Sequence, residues 1–201
     1  MTRKQVQEWA DRLVRQLEQW DREQNRGPLA RLRRGLSEAT RFEAWPVLGR
    51  LFGELAVGHP VFEGVAGCFA LHPVQWKPDN DPKEDMKRNF GWTYRNVRLA
   101  EPNGAEKMRD EKEPHTRFRR LLACGSKDEI CQHVRHAVRL AKSRTVSVNY
   151  RKLFEDLWWW NERTKIEWAK AYWQVPLESE EFSLAGIGSP VEEGEALIPE
   201  E

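Results

Sequence analysis

The sequence is poor in cysteine, in uninterrupted apolar runs and in net charge. Cys68, Cys124 and Cys131 are its three cysteines. An odd number without regular spacing excludes a disulfide framework and suits a reducing compartment. No stretch approaches the ~18 uncharged apolar residues of a membrane span. Met1 to Gln5 lead into a charged segment without the apolar core of a signal peptide, so a cytoplasmic chain away from membranes is expected. Hydrophobic residues make up 39% of the 201 and charged residues 32%, against roughly 45–50% and about 25% in an average globular domain. That composition still excludes collagen and a fully disordered chain. Also missing are a P-loop and the G-x-G-x-x-G, G-x-S-x-G and H-E-x-x-H patterns. A non-enzyme without cofactor or metal is the expectation.

The formal net charge of +1 comes from 33 Lys+Arg against 32 Asp+Glu. Its distribution is uneven. Residues 177–201 carry eight acids (Glu178, Glu180, Glu181, Glu192, Glu193, Glu195, Glu200 and Glu201) and no Lys or Arg. Without that tail, 33 basic residues face 24 acidic ones, a body of +9. The tail has no sustained period and reads as disordered. It could fold back over a basic face, or serve solubility alone.

Helical spacing dominates what remains. Val6, Trp9, Leu13, Leu17 and Trp20 recur at steps of three and four, one face of a helix. Pro28 suits the first turn of the next, which carries Leu29, Leu32 and Leu36. Pro46 suggests a break before helical spacing resumes from Val47 to Val57. Pro60 and Pro73 bracket a short apolar helix. Residues 75–115, rich in Pro, Asn, Asp, Gly and charge, read as a polar loop or insertion with a small hairpin near residues 91–97. Beyond it lie a helix from Thr116, one capped by Ser126 with Glu129 three residues on, and one capped by Asn149. A last helix holds Ile166, Ala169 and Trp173. The fold class expected is all-α: two small helical bundles, 1–74 and 116–176, joined by the long polar loop 75–115 and followed by the tail 177–201.

Basic residues cluster on these helices. Arg31, Arg33 and Arg34 lie on the second. Arg117, Arg119 and Arg120 share a short one. Arg135, Arg139 and Lys142 form a stripe turned away from Ile130, Val134 and Val138, and Arg151 opens the next helix with Lys152. Guanidinium forks grip phosphate oxygens bidentately, although solvated helix faces are often basic without a specific task. Trp158, Trp159 and Trp160 point about 100° apart on a helix and cannot form one stacking platform. Most of the ten tryptophans belong in the core, at least one of these beside Leu153, Leu157 and Ile166. Cys124, Cys131, His133 and His136 lie close in sequence, but without the tight pairs of zinc sites.

Taken in order, these segments resemble the CasB-type small subunit of the type I-E CRISPR surveillance complex, Cascade. The resemblance lies in residues 27–35 and 117–123, and most of all in 133–143, 148–160 with its tryptophan run, and 166–173. It covers roughly 27–74 and 115–174. Neither 75–115 nor the acidic tail has a counterpart. The resemblance implies a non-catalytic helical subunit, two copies of which line the belly of the complex. It implies partners too: crRNA (the guide RNA), target DNA and its displaced strand, other Cascade subunits and a second copy of the chain. The expected work is R-loop stabilisation through backbone contacts, with sequence left to base pairing. Arg31, Arg33, Arg34, Arg117, Arg119, Arg120, Arg135, Arg139, Lys142 and Arg151 are the residues expected to touch phosphates. Two other classes remain open: a helical scaffold or adaptor that binds only proteins, and a small metal-dependent enzyme built on the Cys/His group.

Overall fold

A computed structural model describes residues 1–77, 88–110 and 115–174. The expectations for the acidic tail, and for the prolines and acids of 78–87 and 111–114, lie outside the described residues. The all-α class is as expected. Among the described residues, extended pairing is confined to one parallel bridge between Gln75 and Val148.

Helix α1 (Arg3–Arg22) opens with a reciprocal cap. The Gln5 amide donates to Thr2 Oγ1 at 3.3 Å, and the Thr2 amide donates to Gln5 Oε1 at 2.9 Å. Val6, Ala10, Leu13, Val14 and Leu17 form its buried face, the stripe the spacing predicts, with Trp9 and Trp20 packed at its margins. Helix α2 (Arg26–Arg34) buries Leu32. A 3-10 turn (Glu38–Ala44) leads into α3 (Trp45–Phe52), where Pro46 stands in the first turn and starts the helix instead of breaking it. A second 3-10 turn (Gly53–Ala56) follows.

Helix α4 (Pro60–Leu71) is the hub. It is apolar except at Glu63, which Arg41 and Trp45 satisfy, and eight of its residues are buried, as expected of a helix enclosed on most sides. It packs on α2, α1 and two later helices, α8 (Lys127–Ser143) and α9 (Tyr150–Trp158). Its small residues permit this crowding. A Cβ on Gly67 would strike the Leu36 side chain, and one on Gly64 would lie 3.3 Å from Cys131 Sγ.

The hairpin expected near residues 91–97 is instead a helix, α5 (Phe90–Leu99). Asn89 caps it, accepting from the Trp92 amide at 3.2 Å. Phe90, Tyr94 and Val97 recur at steps of four and three and are buried, the helical period that the Pro- and Asn-rich surroundings obscure. Gly91 marks close backbone approach, not a turn: a Cβ there would collide with the Trp168 carbonyl of α10 (Glu162–Trp173). Asn89 also donates to the Glu167 carbonyl at 3.0 Å, locking α5 to α10. A short α6 (Gly104–Arg109) follows, then α7 (Thr116–Ala123).

The inward face of α10 is also a correction. Thr164, Trp168 and Tyr172 point into the core, whereas Ile166 is 53% exposed. The run Trp158–Trp160 divides as its spacing predicts. Trp158 is buried, Trp159 is exposed, and Trp160 donates to the Cys124 carbonyl at 3.0 Å. Across the molecule, the hydroxyl of Tyr150 donates to the His72 carbonyl at 2.6 Å, and His72 Nε2 meets the Val146 carbonyl at 2.7 Å. One core therefore runs from α1 to α10.

Candidate nucleic-acid interface

The expected basic residues fall into two groups once the helices are packed. Phe118 and Leu121 anchor α7, which turns Arg117, Arg119 and Arg120 to solvent. On α8 the inner face is Ile130, Val134, Ala137, Val138 and Ala141, leaving Arg139 and Lys142 exposed. On α2, Leu32 faces in while Arg31 and Arg33 face out. None of these seven makes an ion pair with another described residue.

The other three have protein partners. Arg34 pairs with Glu43 at 2.9 Å but keeps most of its side chain in water. Arg135 lies half-buried, and its guanidinium donates to the Leu36 carbonyl just past α2. It thereby ties the end of α2 to the middle of α8, instead of standing outward with Arg139. Arg151 pairs with Asp11 at 3.1 Å and Glu18 at 3.4 Å, at 28% side-chain exposure. Those carboxylates belong to α1, so Arg151 rivets α9 to α1.

Two titratable groups near Arg135 and Arg139, His136 and Cys68, add no negative charge there. Burial, joined by the Arg135, Arg139 and His133 charges, lowers the pKa of His136. Burial pushes the Cys68 thiol up to about 12 even though Arg135 and Arg139 pull the other way. That thiol is no nucleophile at neutral pH.

Sequence reading missed two features. Arg50 stands at the last turn of α3, exposed, beside a cleft lined by Trp20, Pro28, Arg31 and Leu51. Its single charge within an apolar segment gave no cluster signal. Lys152, expected to join Arg151 outside, is buried instead and pairs with Asp156 one turn on. The second Asp156 oxygen accepts from Trp168 Nε1 at 2.7 Å. Burial raises the pKa of Asp156 although Lys152 opposes the shift.

Of the four residues weighed for metal binding, packing separates two. Cys131 is buried beside Gly64 of α4, and His136 sits among Arg135 and Arg139. Cys124 and His133 come together instead, with Glu129 as a third neighbour. No helix among the described residues is long and apolar enough to cross a membrane.

Comparison with known proteins bears on the whole assembly of helices. The family description "CRISPR-associated protein Cse2" matches residues 28–173. Among solved structures, the crystal structure of M. ruber CasB aligns with a TM-score of 0.54 at 23% identity, covering 73% of this chain and 84% of that chain. At that identity the likeness speaks for the fold. No curated protein matches the sequence.

Proposed function

The chain belongs to the CRISPR-associated Cse2 family, a family of Cascade subunits, and from that premise we propose that it holds nucleic-acid backbones within the complex without catalysing a reaction. The partners are the guide RNA, the target DNA and its displaced strand, and the work is R-loop stabilisation in the cytoplasm. The observation that carries this reading is the contrast in arginine pairing. Arg117, Arg119, Arg120 and Arg139, with Lys142, cover the outer turns of two adjacent helices without a described carboxylate partner, whereas the half-buried Arg41, Arg98 and Arg151 are each paired with one. Guanidinium groups without a described partner, carried on helices whose backbones are already ordered, can meet phosphates without reading bases. Arg31, Arg33 and Arg34 on α2 extend the same chemistry. Arg135 and Arg151 serve first as internal ties.

The test is salt dependence. Log affinity for nucleic acid of unrelated sequences should fall with log salt by about 0.7–0.9 per phosphate contact. The variant Arg139→Glu/Lys142→Glu should reduce that slope while helicity is unchanged. A salt-insensitive or strongly sequence-dependent interaction would sink the reading.

One observation favours the protein-binding side as well. Phe42, Trp45, Leu55 and Val57 are exposed at 57%, 37%, 38% and 41%, all between the first 3-10 turn and the residue that follows the second. This surface suits packing on other Cascade subunits or on a second copy. A scaffold-only protein would keep its partners when excess nucleic acid is added and would not bind nucleic acid itself.

A further inference from the structure

We propose that Cys124, Glu129 and His133 form a three-ligand site for a divalent transition cation of the zinc type, stapling α7 to α8. Their ligand atoms, one thiol sulfur, one carboxylate oxygen and one imidazole nitrogen, all lie within 4.8 Å of one another. Zinc takes this donor set, at about 2.3 Å from sulfur and about 2.0–2.1 Å from nitrogen or oxygen. A tetrahedron of those bond lengths separates its ligand atoms by about 3.3–3.6 Å. Contraction by roughly 1 Å, within the reach of small side-chain rotations, closes the site.

Local structure explains how the three converge. Cys124 ends α7, and Ser126 starts α8, accepting from the Glu129 amide at 3.2 Å. Glu129 and His133 are four residues apart, so they share one face of α8. The two-residue connection folds Cys124 back over that face. It is held from three sides: the Gly125 amide donates to Glu129 Oε2 at 2.8 Å, Trp160 Nε1 donates to the Cys124 carbonyl at 3.0 Å, and Cys124 Sγ donates to the Arg120 carbonyl at 3.2 Å. One Glu129 oxygen is thus occupied and steers the other. The thiol is buried, Glu129 is exposed and His133 is half-buried, so a cation enters from solvent and finds its softest ligand at the bottom. On binding it replaces the thiol proton, which leaves to water. Three protein ligands leave a fourth position for water. The ion sits at the junction of α7 and α8 and fixes the angle between these two helices.

The site is tested on the full chain, stripped with chelator and titrated with cobalt(II). One equivalent should bind and produce a thiolate-to-cobalt charge-transfer band, which zinc then bleaches. Cys124→Ser should abolish the band, and Cys131→Ser should leave it intact. Loss of a mere outer-shell partner costs about 10–100-fold in metal affinity, so His133→Gln and Glu129→Gln should each cost at least about tenfold. These two solvent-facing variants carry the test if Cys124→Ser fails to fold. An absent band, a band that survives Cys124→Ser, or full affinity in both His133→Gln and Glu129→Gln would overturn the assignment.

Discussion

The interior seams and the outer turns of α7 and α8 use the same residue type in opposite ways. In the seams four arginines answer carboxylates: Arg41 answers Glu63, Arg98 and Arg144 converge on Glu101, and Arg151 bridges Asp11 and Glu18; a fifth, Arg135, is held by the Leu36 carbonyl. On the outer turns Arg117, Arg119, Arg120, Arg139 and Lys142 have no such partner among the described residues. The body's +9 is therefore not spread evenly. Pairing cancels it inside and leaves it outside, on helix faces whose inner sides are locked by Phe118, Leu121, Val134 and Val138. A charge compensated within the fold adds to stability or costs it. A charge left over is available to a polyanion.

The largest test of this contrast lies at the seam between α9 and α10. Asp156 binds both the Lys152 ammonium and Trp168 Nε1, and all three side chains are buried. Asp156→Ala leaves an ammonium and an indole N–H without partners, at a cost of about 3–5 kcal/mol. Burial already raises the Asp156 pKa against the pull of Lys152, so desolvation outweighs the pairing. The double variant Lys152→Met/Asp156→Leu should therefore recover most of the loss. Urea denaturation checks both. If Asp156→Ala costs under about 1 kcal/mol, the seam is no more demanding than an exposed pair.

The next effect is steric. Gly91→Ala should destabilise by about 1–3 kcal/mol, because the methyl meets the rigid Trp168 backbone in a packed interface that cannot yield. Melting temperature reports it, and nucleic-acid binding to the surviving folded fraction should be unaltered.

A matched pair of charge variants sharpens the comparison directly. Arg151→Ala removes two ion pairs at partial exposure and should cost about 1 kcal/mol or less with little change in affinity. Arg117→Ala/Arg120→Ala should change stability by under about 0.5 kcal/mol and lower the salt slope by about 1.4–1.8. Denaturation and salt titration of both variants decide. Equal losses of affinity would erase the distinction between tie and contact.

Much of this division was legible in the sequence, and its limits have physical causes. Local signals transferred well: the Ser126 and Asn149 caps, the α1 stripe and the split of the tryptophan run depend only on neighbours a few residues away. Long-range partners did not. Nothing near Arg135 announces that it will reach the Leu36 carbonyl, 99 positions away, and nothing near Arg151 points to α1. Composition misled at α5, where Gly91 looked like a turn residue. Its requirement was set by a helix about 75 residues downstream. The Ile166 face of α10 failed for a related reason. Aliphatic spacing pointed one way, while Trp168 and Tyr172, larger and able to hydrogen-bond, took the core. The Cys/His group was visible, but only folding selected Cys124 and His133 and recruited Glu129.

The smallest effect sits where the two regions meet. His59 starts α4, accepting from the Val61 amide through Nδ1 at 3.3 Å, and its ring stacks on Trp158 with centroids 4.6 Å apart. Burial, with the nearby Lys127 charge, lowers its pKa, and Asp128 opposes that only in part. A histidine with a lowered pKa in the folded state binds fewer protons than it does unfolded. Its contribution to stability is therefore complete above the unfolded pKa of about 6.5 and is lost as pH falls through and below that value. His59→Asn keeps a capping side chain and removes the titration. The stability difference between parent and variant should shrink between pH 7 and pH 5, read as denaturation midpoints with total tryptophan fluorescence as the probe. A difference that stays constant, or grows toward acid, would mean that the ring is protonated in the folded protein. His59 would then be another cation beside the half-buried Lys127 and no part of the compensated interior.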